Sequence, residues 1–248
     1  MKSILFAFYQ LTRLPLPTIK FDEVACGKST AFFPLVGLTL GALMAVLDWA
    51  VRLLFPVNVE AALLVVGMVV LTGGVHLDGF MDSIDGLFSG RSRERKLDIM
   101  HDSRVGAFGV VGVVCLLLLK YNLWLGLTGT ELTRILLIVP SLSRWAMTFA
   151  ITLFPYARPE GLGKIYAIYT GTKELSVSTL IAVAITGVLF RVQGFWLILV
   201  CVVLTCLAGL LITKKLGGLT GDIYGFINEA MEVTLLLAVY PVLNINRV

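Results

Sequence analysis

The segment His76-Leu-Asp78-Gly79-Phe-Met-Asp82-Ser-Ile-Asp85-Gly86 places three carboxylates at i, i+4 and i+7 at the end of a strongly apolar run. At 3.6 residues per turn these spacings put all three on one helix face. Like charges so close repel unless a cation or shared protons hold them together. Hard oxygen donors grouped in this way suit Mg²⁺, which takes one or two protein carboxylates and leaves its other positions to water and phosphate. His76 lies two residues before Asp78, and histidine titrates near neutrality, so it is a candidate general base beside the carboxylates.

Downstream, Arg91-Ser-Arg93-Glu-Arg95-Lys96 supplies a dense run of cations, followed by Asp98 and Asp102 at i, i+4 and then Arg104. Arginine forks bind phosphate oxygens in pairs while Mg²⁺ bridges those oxygens to carboxylates, the usual division of labour in phosphoryl transfer. The same basic run would also serve as a flank touching lipid headgroups. A second polar focus lies at Thr220-Gly221-Asp222 and continues to Asn228, Glu229 and Glu232, the last two inside an apolar stretch. Asp222 and Glu229, seven apart, share a face that could meet substrate, or Glu229 could pair with Arg144 or Lys120. Arg144 sits deep in its own apolar run, where an unpaired guanidinium is expensive and needs a carboxylate or a phosphate. Gly27-Lys28-Ser29-Thr30 resembles the tail of a phosphate-binding loop, but Asp22 stands where its first glycine belongs, which removes that reading.

The elements that must position these residues are membrane helices. The chain has 248 residues, of which 58% are hydrophobic and only 15% charged, and its mean hydropathy is +0.92. Soluble domains carry about 25% charged residues. The apolar runs do not alternate as barrel strands would, so the expected fold is all-α and polytopic. About seven spans are predicted. They run over 32–55, 59–75, 106–127, 134–154, 175–190, 195–212 and 226–243. Residues 1–31 read as a cytoplasmic or interfacial segment that is retained, since Thr12-Arg13-Leu-Pro15 interrupts any signal-like run. Residues 76–105 read as the cytoplasmic catalytic segment of a single domain, 1–248.

Lys and Arg accumulate in short cytoplasmic loops. With the N-terminus inside, that side collects Lys2, Arg13, Lys20, Lys28, Arg91, Arg93, Arg95, Lys96, Arg104, Arg158, Lys164, Lys173, Lys214 and Lys215, against Arg191 and Arg247 outside. The expected location is therefore a plasma (inner) membrane, with the acidic segment facing the cytoplasm. The four cysteines show no C-x-x-C pairing, so neither a disulfide framework nor a zinc site is implied.

The motif His76-x-Asp78-Gly79-x-x-Asp82-x-x-Asp85-Gly86, continuing through Arg91, Arg93 and Arg95 to Asp102-Ser103-Arg104-x-Gly106, resembles the signature of the cobalamin synthase (adenosylcobinamide-GDP ribazoletransferase) family. The resemblance extends over nearly the whole chain through Leu11-Thr-Arg13-Leu-Pro15, Phe33-Pro-Leu-Val-Gly37, Ser143-Arg144, Tyr156-Ala-Arg158-x-Glu160-Gly161 and Leu216-Gly-Gly-x-Thr220-Gly221-Asp222. It implies the joining of adenosylcobinamide-GDP to α-ribazole, or its 5′-phosphate, with Mg²⁺ and release of GMP. On this reading Asp78, Asp82, Asp85 and Asp102 hold the metal. Asp82, Asp85 and His76 are the catalytic candidates, and Arg91, Arg104, Arg144, Arg158, Asp222 and Glu229 are the candidates for contacting substrate and phosphate. The expected partners are these substrates and the lipid bilayer, with no nucleic acid; homo-oligomerisation is left open. The runner-up is a CDP-alcohol phosphatidyltransferase-like enzyme, because Asp82-x-x-Asp85-Gly86 and Asp98-x-x-x-Asp102 look like both halves of its aspartate pattern across a shorter connection. A cation or corrinoid transporter would need acids along a path through the membrane, whereas here they gather at one face.

Overall fold

Glycine and proline divide the apolar sequence into helices whose ends can be read residue by residue. The computed structural model describes residues 2–242, and no β-strand occurs among them. The helices are α1 (Lys2–Leu11), α2 (Glu23–Gly27), α3 (Phe33–Val51), α4 (Val57–Thr72), α5 (Val75–Phe88), α6 (Arg93–Ile99), α7 (Ala107–Leu125), α8 (Gly129–Leu153), α9 (Leu162–Tyr169), α10 (Thr172–Phe190), α11 (Gly194–Leu216) and α12 (Gly221–Val242).

Local chemistry explains several of these boundaries. Asp22 caps α2 by accepting from Ala25 N, and Ser92 caps α6 by accepting from Arg95 N. Pro34 stands in the first turn of α3, where its missing N–H costs nothing. Between α4 and α5, Gly73 and Gly74 both adopt left-handed backbone, with φ of 65° and 69°, a conformation open to glycine at no steric cost. The chain turns by 93° there, so the acidic helix α5 leaves the line of α4.

Helix α8 is the hub, packing against α3, α10, α11 and α12. Its buried face includes Ile135, Ile138, Val139, Leu142, Ala146 and Ala150. Against it, Gly37 and Gly41 of α3 lie directly on the backbone of α8 at Pro140 and Leu136. This Gly-x-x-x-Gly spacing lets two helix backbones approach where lipid offers no hydrophobic drive for association.

The all-α, polytopic character expected from composition is what the chain adopts. Among the described residues, five stretches are long and apolar enough to cross a membrane, or six if the bent α4–α5 pair is one of them. The expected fifth and sixth spans form one such stretch, Thr172–Leu216, divided at Arg191 (φ 50°) into α10 and α11. Leu243, placed at the end of the last expected span, and Arg247, counted in the charge asymmetry, lie outside the described residues.

Candidate active site

Helix α5 carries the acidic face and crosses α12 at its start. The crossing is tight because Gly79 has no side chain: a Cβ there would lie 2.8 Å from the backbone oxygen of Asp222. Two loops reinforce it. Ala157 N donates to Leu219 O and Leu219 N donates to Pro155 O, both at 2.8 Å, pinning the segment after α8 to the turn before α12. Arg158 is thereby carried to Asp222, Nη1 to Oδ2 at 2.8 Å. Arg93 Nε donates to Leu216 O at 2.6 Å and ties α6 to the end of α11.

The result is one acidic cleft of about 310 Å³ that gathers Asp78 and Asp82 from α5, Asp102 from the α6–α7 loop and Asp222 from α12. Asp222 also borders a wider cleft of about 610 Å³, whose wall includes Tyr156, Arg158, Asp98 and His101. Arg104 donates Nε (3.0 Å) and Nη2 (2.6 Å) to the two oxygens of Asp102, and its backbone N–H adds a third bond. These bonds hold the Asp102 carboxyl down to about 2, so it is ionised throughout the neutral range.

Several residues singled out in the sequence are placed elsewhere. Asp85, expected beside Asp78 and Asp82, is turned against the start of α7 and buried. One of its oxygens accepts from Gly106 N at 2.7 Å and the other from Gly109 N at 2.8 Å. It satisfies donors that a helix N-terminus leaves free, with its charge at the favourable end of the helix dipole. In this position it ties the start of α7 to α5 and does not line the acidic cleft with Asp78 and Asp82. Arg91 is exposed in the loop before α6 and borders neither cleft.

Arg144 and Glu229 do not reach the clefts either. Arg144 is fully buried and pairs with Glu232, while Lys120 Nζ donates to both Glu229 and Glu232. Two cations thus neutralise two carboxylates between α7, α8 and α12, which is the pairing alternative. His76 belongs to the edge of this cluster. Asn228 Nδ2 lies 3.0 Å from His76 Nδ1 and also within 3.4 and 3.5 Å of Glu229 Oε1 and Glu232 Oε1. Carboxylates only accept, so that end of the amide is its NH₂, Nδ1 of His76 accepts, and the ring hydrogen sits on Nε2. A neutral ring in that tautomer donates from Nε2, so the expected general-base role does not match it.

Sequence reasoning gave no role to Tyr156, His101, Asn228 or Tyr224. The available signals were local: His101 precedes Asp102, and Asn228 is a polar residue inside an apolar span next to Glu229.

The cleft can be tested for Mg²⁺ on its donors. Among the described residues no three acidic, histidine or cysteine side chains are drawn into a closed cage. Mg²⁺ does not need one, since it retains water and shares its octahedron with substrate phosphates. The acidic donors are all carboxylate oxygens, spread around an open cleft with room for water and substrate, and this fits.

A helical membrane bundle with carboxylates and arginines lining a cleft at helix ends defines a membrane-embedded enzyme suited to charged phosphate substrates. The family model described as Cobalamin-5-phosphate synthase matches residues 3–240, and the chain belongs to that family. Relatives named adenosylcobinamide-GDP ribazoletransferase include that of Desulfitobacterium hafniense strain Y51, 40% identical over 261 aligned positions, gaps included, that cover 98% of each chain. That of Roseiflexus sp. strain RS-1 is 39% identical, covering 91% of this chain and 84% of the relative. That of Geotalea daltonii is 38% identical over 94% of both. These relatives agree with the cobalamin synthase reading and not with the phosphatidyltransferase alternative. No solved structure matches.

Proposed function

We propose that the chain joins adenosylcobinamide-GDP to α-ribazole, or its 5′-phosphate, with release of GMP, in an inner membrane with its clefts open to the cytoplasm. The observation that carries this reading is the convergence of Asp78, Asp82, Asp102 and Asp222, from three separate segments, on one cleft beside Arg158. A pyrophosphate needs such a combination of cation-holding carboxylates and arginine forks. The excess of Lys and Arg on the side of these loops supports the cytoplasmic orientation.

In this reading carboxylates from this set of four would hold Mg²⁺, which would supply neutralisation of the negative charge on the pyrophosphate. Arg158 binds phosphate oxygens at the seam of the two clefts, and Arg104 does so from the rim. A ribazole hydroxyl oxygen forms a bond to the phosphorus that stays with the corrinoid, the P–O bond to GMP breaks, and the hydroxyl proton passes to a cleft carboxylate. Holding the reactants in line accounts for most of the rate, because phosphoryl transfer asks little covalent help from the protein.

The test is detergent-purified protein supplied with adenosylcobinamide-GDP and α-ribazole, with and without Mg²⁺. Mg²⁺-dependent GMP release is expected. No GMP under any condition, or release of CMP from a CDP-activated lipid instead, would remove this reading.

A further inference from the structure

The wider cleft, of about 610 Å³, falls within the range of about 300–1,000 Å³ typical of pockets that take drug-sized ligands. Asp222 and His101 border both it and the acidic cleft, so the two meet there. A pyrophosphate held at that seam by Arg158 therefore has one end in each.

The wider cleft has walls of two kinds. Leu97, Pro159, Leu162 and the half-buried ring of Tyr156 are apolar or aromatic, whereas Asp98 and Glu160 are exposed carboxylates. Asp98 is drawn to Arg95, at 3.8 Å. Among the described residues no cation lies within ion-pair distance of Glu160. The turn that carries Glu160 is nevertheless well anchored: Tyr156 Oη donates to Glu160 O at 3.4 Å, Lys164 Nζ donates to Pro159 O, and Arg158 is fixed on Asp222. These bonds use the backbone of the turn and leave the Glu160 carboxylate to accept from a ligand.

We propose that this cleft receives the guanosine half of the GDP-activated substrate and that Glu160 reads its base, which rests on the function proposed above. Guanine presents two adjacent donors on one edge, N1–H and the 2-amino group, and a carboxylate accepts both at once. Its flat face suits the ring of Tyr156. The other parts of the two substrates fit less well. The benzimidazole of α-ribazole has no ring N–H to offer a carboxylate, and the corrinoid with its side chains is larger than the 610 Å³ available. With guanosine seated here, GMP leaves into the wider cleft, and the phosphorus that stays with the corrinoid stands among the carboxylates of the acidic cleft.

GMP itself is the probe, because its binding needs no turnover. Full-length protein in detergent with Mg²⁺ is titrated by calorimetry with GMP and with XMP, in which an oxygen acceptor replaces the 2-amino donor. The wild type should prefer GMP by about 10- to 100-fold, since XMP loses one charge-assisted bond and sets an acceptor against the carboxylate. In Glu160→Gln the side-chain oxygen still accepts from N1–H while the amide NH₂ donates to the new acceptor, so the preference should vanish or reverse. The exchange is isosteric at an exposed position, so Tm should hardly move. A glutamate that served only the fold would not exchange one nucleotide for another. In steady state the same variant should raise KM for adenosylcobinamide-GDP about 10-fold, with the loss in KM rather than kcat, and leave KM for α-ribazole within about 2-fold.

An unchanged ratio of GMP to XMP affinity in Glu160→Gln, no GMP binding by the wild type, or a rise in KM for α-ribazole alone would overturn the assignment. Failure of the reaction is a separate outcome. A GMP preference that depends on Glu160, in a protein that joins no ribazole, upholds the cleft assignment and removes the proposed reaction. Turnover with a nucleotide ratio indifferent to Glu160 does the reverse.

Discussion

The acidic cleft and the buried ionic cluster hold nearly the same chemical groups in opposite states. In the cleft, Asp78, Asp82, Asp102 and Asp222 line an open space, and among the described residues their arginine partners are Arg104 on Asp102 and Arg158 on Asp222. In the cluster, Lys120 and Arg144 meet Glu229 and Glu232 with no space between them. Carboxylates left in excess create a demand for cations that a bound ligand can meet. Carboxylates matched one to one with cations in an apolar interior have no such demand, and they lock α7, α8 and α12 into one register. The type of residue is thus no guide to its role; the local balance of charge is.

The comparison breaks most sharply under substitution. Asp82→Asn leaves size and packing intact but removes an unpaired charge from the cleft, so turnover should fall by about 10³-fold or more while the folded protein stays intact. GMP release and thermal unfolding, measured on the same preparation, check both halves.

Lys120→Met should act the other way round. It strands Glu229 and half of Glu232 in the interior and should cost roughly 3–5 kcal/mol of stability. The expected sign is a large fall in Tm and in recovered protein, with near-normal activity per folded molecule.

Asp85→Ala falls between the two. It removes the acceptor for two α7 amides, a cost of about 1–2 kcal/mol, and loosens the loop that carries Asp102. Its signature is a moderate loss of Tm with a partial loss of turnover.

The smallest effect belongs to the exposed pair at the rim. Arg104 lowers the Asp102 carboxyl from 3.8 to about 2, so the stability this pair contributes is present above about pH 4 and is lost as pH falls through about 2. Arg104→Gln should remove that dependence. Between those pH values the wild type should lose slightly more Tm than the variant, and the difference should shrink with added salt, because both partners are exposed.

The sequence made the helical membrane character legible through composition, and the acidic face legible through spacing. It also showed that Arg144 needed an anionic partner. It did not show which anion, since Glu232 lies 88 residues away and is brought close only by the packing of α8 on α12. Helical periodicity correctly put Asp78, Asp82 and Asp85 on one face. A face, however, is shared between neighbours: α12 and the loops take the end with Asp78 and Asp82, while α7 begins against Asp85. The hint lay 21 and 24 residues downstream, in Gly106 and Gly109, whose missing side chains admit the carboxylate. The division of residues 172–216 into two helices was legible at Arg191, Gln193 and Gly194, which interrupt the apolar run between the expected spans 175–190 and 195–212.

The proposed division of roles is that cleft exposure, rather than position on the acidic stripe, sets apart the aspartates that serve Mg²⁺ and substrate: Asp82 lines the cleft, whereas both oxygens of Asp85 are taken by α7 amides. It is tested most directly by the Mg²⁺ concentration giving half-maximal GMP release, compared in wild type, Asp82→Asn and Asp85→Asn. Asp82→Asn should abolish the response or move it to much higher Mg²⁺, while Asp85→Asn should keep the wild-type midpoint despite a lower Tm. A shifted midpoint in Asp85→Asn together with an unshifted one in Asp82→Asn would contradict it.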